Sequence, residues 1–120
     1  MSIITMILAT FVALEHFYIF YLETIATQSA ATSRVFKMQQ EELRRPSVDK
    51  LFKNQGVYNG LIGLFLLYAL FIAGNTEFVG MFLLYVVLVA AYGALTADKK
   101  IILTQGGLAI LALLSFLILM

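Results

Sequence analysis

Three stretches of about twenty residues, 56–76, 78–97 and 101–120, contain no charged side chain. A helix needs ~20 mostly apolar residues to cross the hydrocarbon core of a bilayer, so each stretch is long enough to span one. A fourth run near the N-terminus is apolar except for Glu15 and His16. No other feature constrains the fold as strongly. With 62% hydrophobic and 12% charged residues in a chain of 120, against ~25% charged in soluble domains, the apolar surface is too large to be hidden internally. The remainder must face lipid. The expected fold is an all-α integral membrane protein, a four-helix transmembrane bundle forming one domain over 1–120. Its spans are expected at about 3–24, 54–74, 78–97 and 101–120, with a cytoplasmic helical hairpin at about 25–53.

The charges orient this bundle. All eight basic residues fall in two loops: Arg34, Lys37, Arg44, Arg45, Lys50 and Lys53 after the first span, and Lys99 and Lys100 after the third. Cytoplasmic loops collect Lys and Arg, which puts both basic loops inside and both termini outside, in a multi-pass protein of the cell membrane. No basic n-region precedes the first apolar run, and Glu15 and His16 interrupt it, so it reads as a retained span rather than a signal peptide. Composition also excludes a secreted mini-domain, a disordered chain and a nucleic-acid binder. The absence of Cys removes disulfides, thiolate metal sites and cysteine nucleophiles.

Within the hairpin, 24–33 is rich in Ala, Ser and Thr, which permits close helix contact. Lys37/Glu41 and Glu41/Arg45 have the i,i+4 spacing of helical ion pairs. Arg45-Pro46 breaks the chain, and Ser47 is placed to cap the helix that follows. This charged segment is either a solvated, orienting hairpin or a site for anionic ligands and lipid headgroups. Further on, Gly74-Asn75 is a helix-stop signal and 97–100 a short turn.

Ionisable groups inside a membrane are costly, which makes them functional candidates. At ~100° per residue, Glu15, His16, Ile19 and Glu23 occupy one arc of the first helix. Asn54, Gln55, Tyr58 and Asn59 form a limited arc at the cytoplasmic end of the second. Tyr92 and Thr96 share a face of the third, with Tyr85 deeper, and Thr104 and Gln105 begin the fourth. Every span is most polar in its cytoplasmic half, so the pattern predicts an inward-opening pocket with an apolar floor rather than a pore. Each group also has a structural reading. Asn and Gln can join helices by hydrogen bonds, Glu23 can snorkel to the interface, and Glu15 with His16 can form an interhelical network. The chemistry on offer is acid–base or binding chemistry through Glu15 and His16. Metal binding through Glu15, His16 and Glu23 is conceivable, yet one His and no Cys make a weak set; no metal site is assigned, and the residues do not identify a cofactor. No phosphate-loop, zinc-protease or Ser-His-Asp spacing is present.

The strings Leu14-Glu15-His16-Phe17-Tyr18-Ile19 with Leu22-Glu23, and Asn54-Gln55-Gly56-Val57-Tyr58-Asn59-Gly60, resemble domain of unknown function family 1304, small bacterial membrane proteins, over essentially the whole chain. That resemblance implies no activity. Four spans, outside termini and a long inner first loop also look like the MAPEG family of membrane-associated eicosanoid and glutathione enzymes. Locally, Ala30-Ala31-Thr32-Ser33-Arg34 resembles the small-residue run ending in Arg of that family's first helix. The stretch from Gln55 to Asn59 follows its Asn-rich second-helix stretch, and Ala91-Tyr92 resembles an Ala-Tyr pair in its third. Tyr58 stands where that family has Glu, and Tyr85 where it has Arg, so no cation remains there to stabilise a thiolate. What this second resemblance implies is architectural: a trimer with sites between subunits, toward the cytoplasm.

The leading expectation is a membrane protein that binds or acts on a small amphipathic molecule. Glu15 would be the acid–base group and His16 its partner, with Glu23, Arg34, Asn54, Gln55, Tyr58, Asn59, Tyr92 and Gln105 as ligand contacts. The alternatives are a proton-coupled small-molecule transporter and a non-catalytic membrane assembly protein. Membrane lipid is a partner in all three, and a homo-oligomer, dimer or trimer, is expected because Gly60, Gly63, Gly93, Gly106 and Gly107 allow close helix approach.

Overall fold

The computed structural model describes residues 1–96 and 106–119. Among the described residues the chain is all-helical: α1 Ile3–Phe20, α2 Ala30–Phe36, α3 Gln40–Leu43, α4 Pro46–Phe71, α5 Thr76–Thr96 and α6 Gly107–Ile118. A wide π-helical turn, Tyr21–Ile25, continues α1 and closes with Ala26 N–H donating to Tyr21 O at 2.8 Å. Counted through that turn, Ile3–Ile25 is long and apolar enough to cross a membrane, as is α5. The remaining two expected spans are less clear-cut. α4 has 26 residues but carries Asp49, Lys50, Lys53, Asn54 and Gln55 in its first half. α6 is apolar and only 12 residues long, and the 101–105 stretch before it lies outside the described residues, as do Lys99, Lys100, Thr104 and Gln105.

Two compact units divide the chain, Met1–Glu15 with Leu64–Met120, and His16–Gly63. In the first, the early part of α1 buries Thr5, Ala9, Val12 and Ala13, which recur at helical spacing on one face. The Thr5 and Ser115 hydroxyls meet at 2.8 Å and join α1 to α6. Val79, Leu83, Val86 and Ala90 form the buried stripe of α5, and Ala109 and Ala112 that of α6. Gly74 ends the α4 connection in the left-handed region, at φ 58°, where a residue without a Cβ carries no steric cost. The next residue, Asn75, donates its N–H to Ala69 O at 3.0 Å. Its side chain caps α5 by accepting from Phe78 N–H at 3.1 Å, relieving one of that helix's unpaired donors.

The second unit is a helical hairpin. Ser29 caps α2 by accepting from Thr32 N–H at 3.1 Å. Lys37 closes α2 in the left-handed region, φ 54°, so Lys37 and Glu41 do not share one helix as their spacing suggests. α3 ends at Leu43, and Arg45 meets Glu42 at 3.2 Å rather than Glu41. The Arg45-Pro46 break is present, but α4 starts one residue before the expected cap Ser47. Pro46 is its first residue, a position where the missing N–H and fixed φ are both tolerated, and Asp49 N–H donates to Arg45 O at 2.9 Å. Phe36 and Phe52 pack edge-to-face at 5.3 Å between centroids, the geometry their ring quadrupoles favour. Leu43 is fully buried.

Candidate functional site

The second unit brings a carboxyl and an amide together in its interior. His16, Ile19 and Glu23 follow at helical spacing and are all buried, Glu23 at 5% exposure. Across from them, Asn59 of α4 donates its Nδ2–H to Glu23 Oε1 at 2.6 Å. Burying a carboxyl is costly unless it is hydrogen-bonded, and Asn59 supplies that bond. Among the described residues this is the one polar side-chain bond for either group, so the second amide N–H and the second carboxyl oxygen remain as unused capacity.

The geometry of this pair follows from glycine. A Cβ on Gly56 would overlap Thr24 Oγ1, and one on Gly60 would come within 3.0 Å of the Phe20 ring. The bare glycines let α4 approach the end of α1 closely enough for Thr24 Oγ1 to donate to Lys53 O at 2.9 Å. Small residues four apart permit this kind of approach. The wide turn places Glu23 and Thr24 at the crossing, and threonine hydroxyls occupy its exposed carbonyls. Thr27 Oγ1 donates to Glu23 O at 2.7 Å. The buried Thr32 Oγ1 lies 2.9 Å from Leu22 O and 2.7 Å from Ala26 O, its single proton serving both. Carbonyls at a helix end have no partner within the helix, and here side chains from within the hairpin take that place. Interruptions of this type in α-helices occur frequently at functional sites.

The other sequence-derived candidates are placed elsewhere. Asn54, Gln55 and Tyr58 are exposed, Tyr58 at 67%. At ~100° per residue, Asn54 and Tyr58 lie on the far side of α4 from Gly56, with Asn59 at the edge of the packed face. Arg34 is exposed in the last turn of α2. In the first unit, Tyr92 is 70% exposed on α5, and Glu15 is half-buried with its Oε1 shielded and without a hydrogen-bond partner among the described residues. Gln105 lies outside the described residues. Sequence reasoning missed Thr24, Thr27, Thr32 and Gly56. The Gly56/Gly60 spacing was the available signal for the last. Among the described residues no group of three His, Asp or Glu side chains is arranged to hold a metal.

Comparison with known proteins places the chain. Residues 10–117 match the family described as "Protein of unknown function (DUF1304)". The chain belongs to the DUF1304 family. This DUF1304 chain is 65% identical over 116 residues to "Uncharacterized protein YpaA" of Lactococcus lactis subsp. lactis (strain IL1403), an alignment covering 96% of this chain and 98% of the relative. No solved structure matches it.

Proposed function

We propose that this DUF1304 protein is a four-span protein of the cell membrane that binds or acts on a small amphipathic molecule at an intramembrane polar site. The site is centred on Glu23 and Asn59, with His16 lining it and the basic loops on the cytoplasmic side. The observation that carries this reading is the buried Glu23 carboxyl, held by Asn59 at 2.6 Å in a wide turn of a helix otherwise apolar enough to span. A structural joint between helices needs only a neutral amide or hydroxyl pair. A carboxyl there adds an acceptor that can hold or pass a proton, which suits a ligand with a hydroxyl or amine head and an apolar body. Glu15, whose shielded oxygen has no hydrogen-bond partner among the described residues, is proposed as a second acid–base group on the same helix. The exposed Asn54, Gln55 and Tyr58 on α4, and Tyr92 on α5, are then surfaces that a second copy would cover. The reading therefore includes a homo-oligomer, the arrangement that the chain's architectural resemblance to the MAPEG family implies.

Native mass spectrometry of protein extracted with its surrounding lipid tests this. The wild-type chain should retain a bound small molecule of defined mass that is lost in both Glu23→Gln and Asn59→Leu, with helicity unchanged. Equal occupancy in all three proteins would remove the site. If Glu23→Gln instead lowers oligomer size with no change in bound mass, the chain is an assembly protein. Substrate movement driven by a proton gradient in proteoliposomes would make it a transporter.

A further inference from the structure

A second feature lies on α4 and does not depend on the Glu23 pair. At ~100° per residue, Lys50, Val57 and Leu61 fall within about 40° of one another around that helix, and all three are exposed. The stripe points away from Phe52 and Gly56, through which α4 packs against Phe36 and Thr24. At 1.5 Å per residue, Val57 and Leu61 stand ~10 and ~16 Å along the axis from Lys50. One face of α4 thus carries apolar side chains and ends in a cation. That cation is uncommitted. Among the described residues Arg45 meets Glu42 at 3.2 Å and Lys53 meets Asp49 at 2.6 Å, while Lys50 has no ion pair. Asp49, its neighbour in sequence, is held by Gln28 as well.

We infer that this face of α4 seats an anionic phospholipid of the cytoplasmic leaflet. Its phosphate would lie at Lys50, beside the exposed Asn54 amide, and an acyl chain would run along Val57 and Leu61. The inference rests on the four-span reading, in which α4 enters the bilayer from the cytoplasm. Half the hydrocarbon core is ~15 Å thick, so with Val57 and Leu61 in the inner leaflet Lys50 reaches the headgroups. Charge selects the occupant. A zwitterionic headgroup brings an ammonium of its own, and the segment 34–53 already holds six bases against three carboxylates. A headgroup of net negative charge meets that excess without adding a cation. Gln55 and Tyr58, assigned above to contact with a second copy, lie beside this stripe with Asn54 on the boundary. The lipid therefore borders that contact and does not replace it.

The chain has no Trp, so a single introduced one reports on the lipid beside it. Val57→Trp places the reporter on the stripe, and Leu88→Trp places it on the exposed surface of α5, a helix with no base. Each variant is reconstituted in phosphatidylcholine containing a fixed fraction of brominated phosphatidylglycerol or of brominated phosphatidylcholine. Quenching at 57 should show phosphatidylglycerol favoured about fivefold, the preference expected for one base at a membrane surface. Quenching at 88 should show none. Lys50→Gln should abolish the preference at 57, whereas Arg34→Gln, which removes the same charge from α2, should preserve it. Equal quenching by the two lipids at 57, the same preference at 88, no effect of Lys50→Gln, or an equal effect of Arg34→Gln would overturn the inference. Quenching at 88 with none at 57 would give this face to a second copy of the chain and overturn it too. No quenching at either position would remove the four-span reading itself, and the inference with it.

Discussion

Gly56→Ala should destabilise this protein, although the same exchange inside a helix ordinarily stabilises it by ~1 kcal/mol. The new Cβ would overlap Thr24 Oγ1 and stand 3.0 Å from both Glu23 Cβ and Thr24 N. Two of these three atoms are close to the backbone and cannot rotate away, so α4 must withdraw from the turn. Overpacking of this kind costs about 1–3 kcal/mol, and losing the Thr24 to Lys53 hydrogen bond adds about 1 kcal/mol. Set against the propensity gain, the net loss is about 1–3 kcal/mol, a sum of terms from. Gly107→Ala, at the first position of α6, supplies the control, because among the described residues nothing lies within 4 Å of a Cβ there, and it should be neutral or stabilising by up to ~1 kcal/mol. The decisive variant is Thr24→Ala/Gly56→Ala. It removes the nearest obstructing atom, so the added cost of Gly56→Ala in the Thr24→Ala background should fall by at least ~1 kcal/mol, a coupling expected of residues in contact. Unfolding in SDS followed by circular dichroism measures the wild type and these four variants. If Gly56→Ala were as stabilising as Gly107→Ala, or if the double variant showed no coupling, the close crossing at Gly56 would be wrong.

Glu23→Leu and Asn59→Leu each strand a buried polar partner, so their costs in the same assay should exceed that of the double variant per site, with a coupling of about 1–2 kcal/mol. Thr32→Val keeps the shape of a fully buried side chain but removes the hydroxyl from Leu22 O and leaves Ala26 O with the Ser29 N–H alone, and should cost about 1–3 kcal/mol. Hydrogen bonds from Lys53 and then Gln28 hold the Asp49 carboxyl below its ordinary value of 3.8. Because the folded value is depressed, the stabilisation is complete above pH 3.8 and disappears as pH falls below it through the folded value. Carbon NMR of the Asp49 carboxyl should show a midpoint below 3.8 that rises when Lys53 is replaced by Met.

Local chemistry was readable in the sequence wherever one residue decides the outcome. Arg45-Pro46 breaks the chain because a proline has no N–H to donate, and Gly74-Asn75 turns it because a Cβ at positive φ is strained. The arc of Glu15, His16, Ile19 and Glu23 was readable in part: helical periodicity gives His16, Ile19 and Glu23 their shared buried face, while Glu15, at the arc's edge, is only half-buried. What was not readable depends on two segments meeting. Asn54, Gln55, Tyr58 and Asn59 look equivalent as a polar string, yet only Asn59 reaches Glu23, because the Gly56/Gly60 contact sets which edge of α4 faces inward. The wide turn at Tyr21–Ile25 has no Gly or Pro to announce it. Of its carbonyl partners, Thr27 is local, four residues beyond Glu23, whereas Thr32 comes from α2, which must fold back first.

That wide turn also sets a rule for how this chain can change length. Each residue added to or removed from a helix rotates everything beyond it by ~100°, and the five-residue turn already holds one residue more than an ordinary helical register would. Deleting one position there would regularise the helix while swinging Thr27 and Thr32 away from the carbonyls they serve, and inserting one would turn Glu23 away from Asn59. The segment thus behaves as a phase lock. Substitutions can accumulate around it, but its length is held by contacts on both sides, and an indel within 21–25 is not interchangeable with one at the Gly74-Asn75 turn, where no buried hydrogen bond depends on phase.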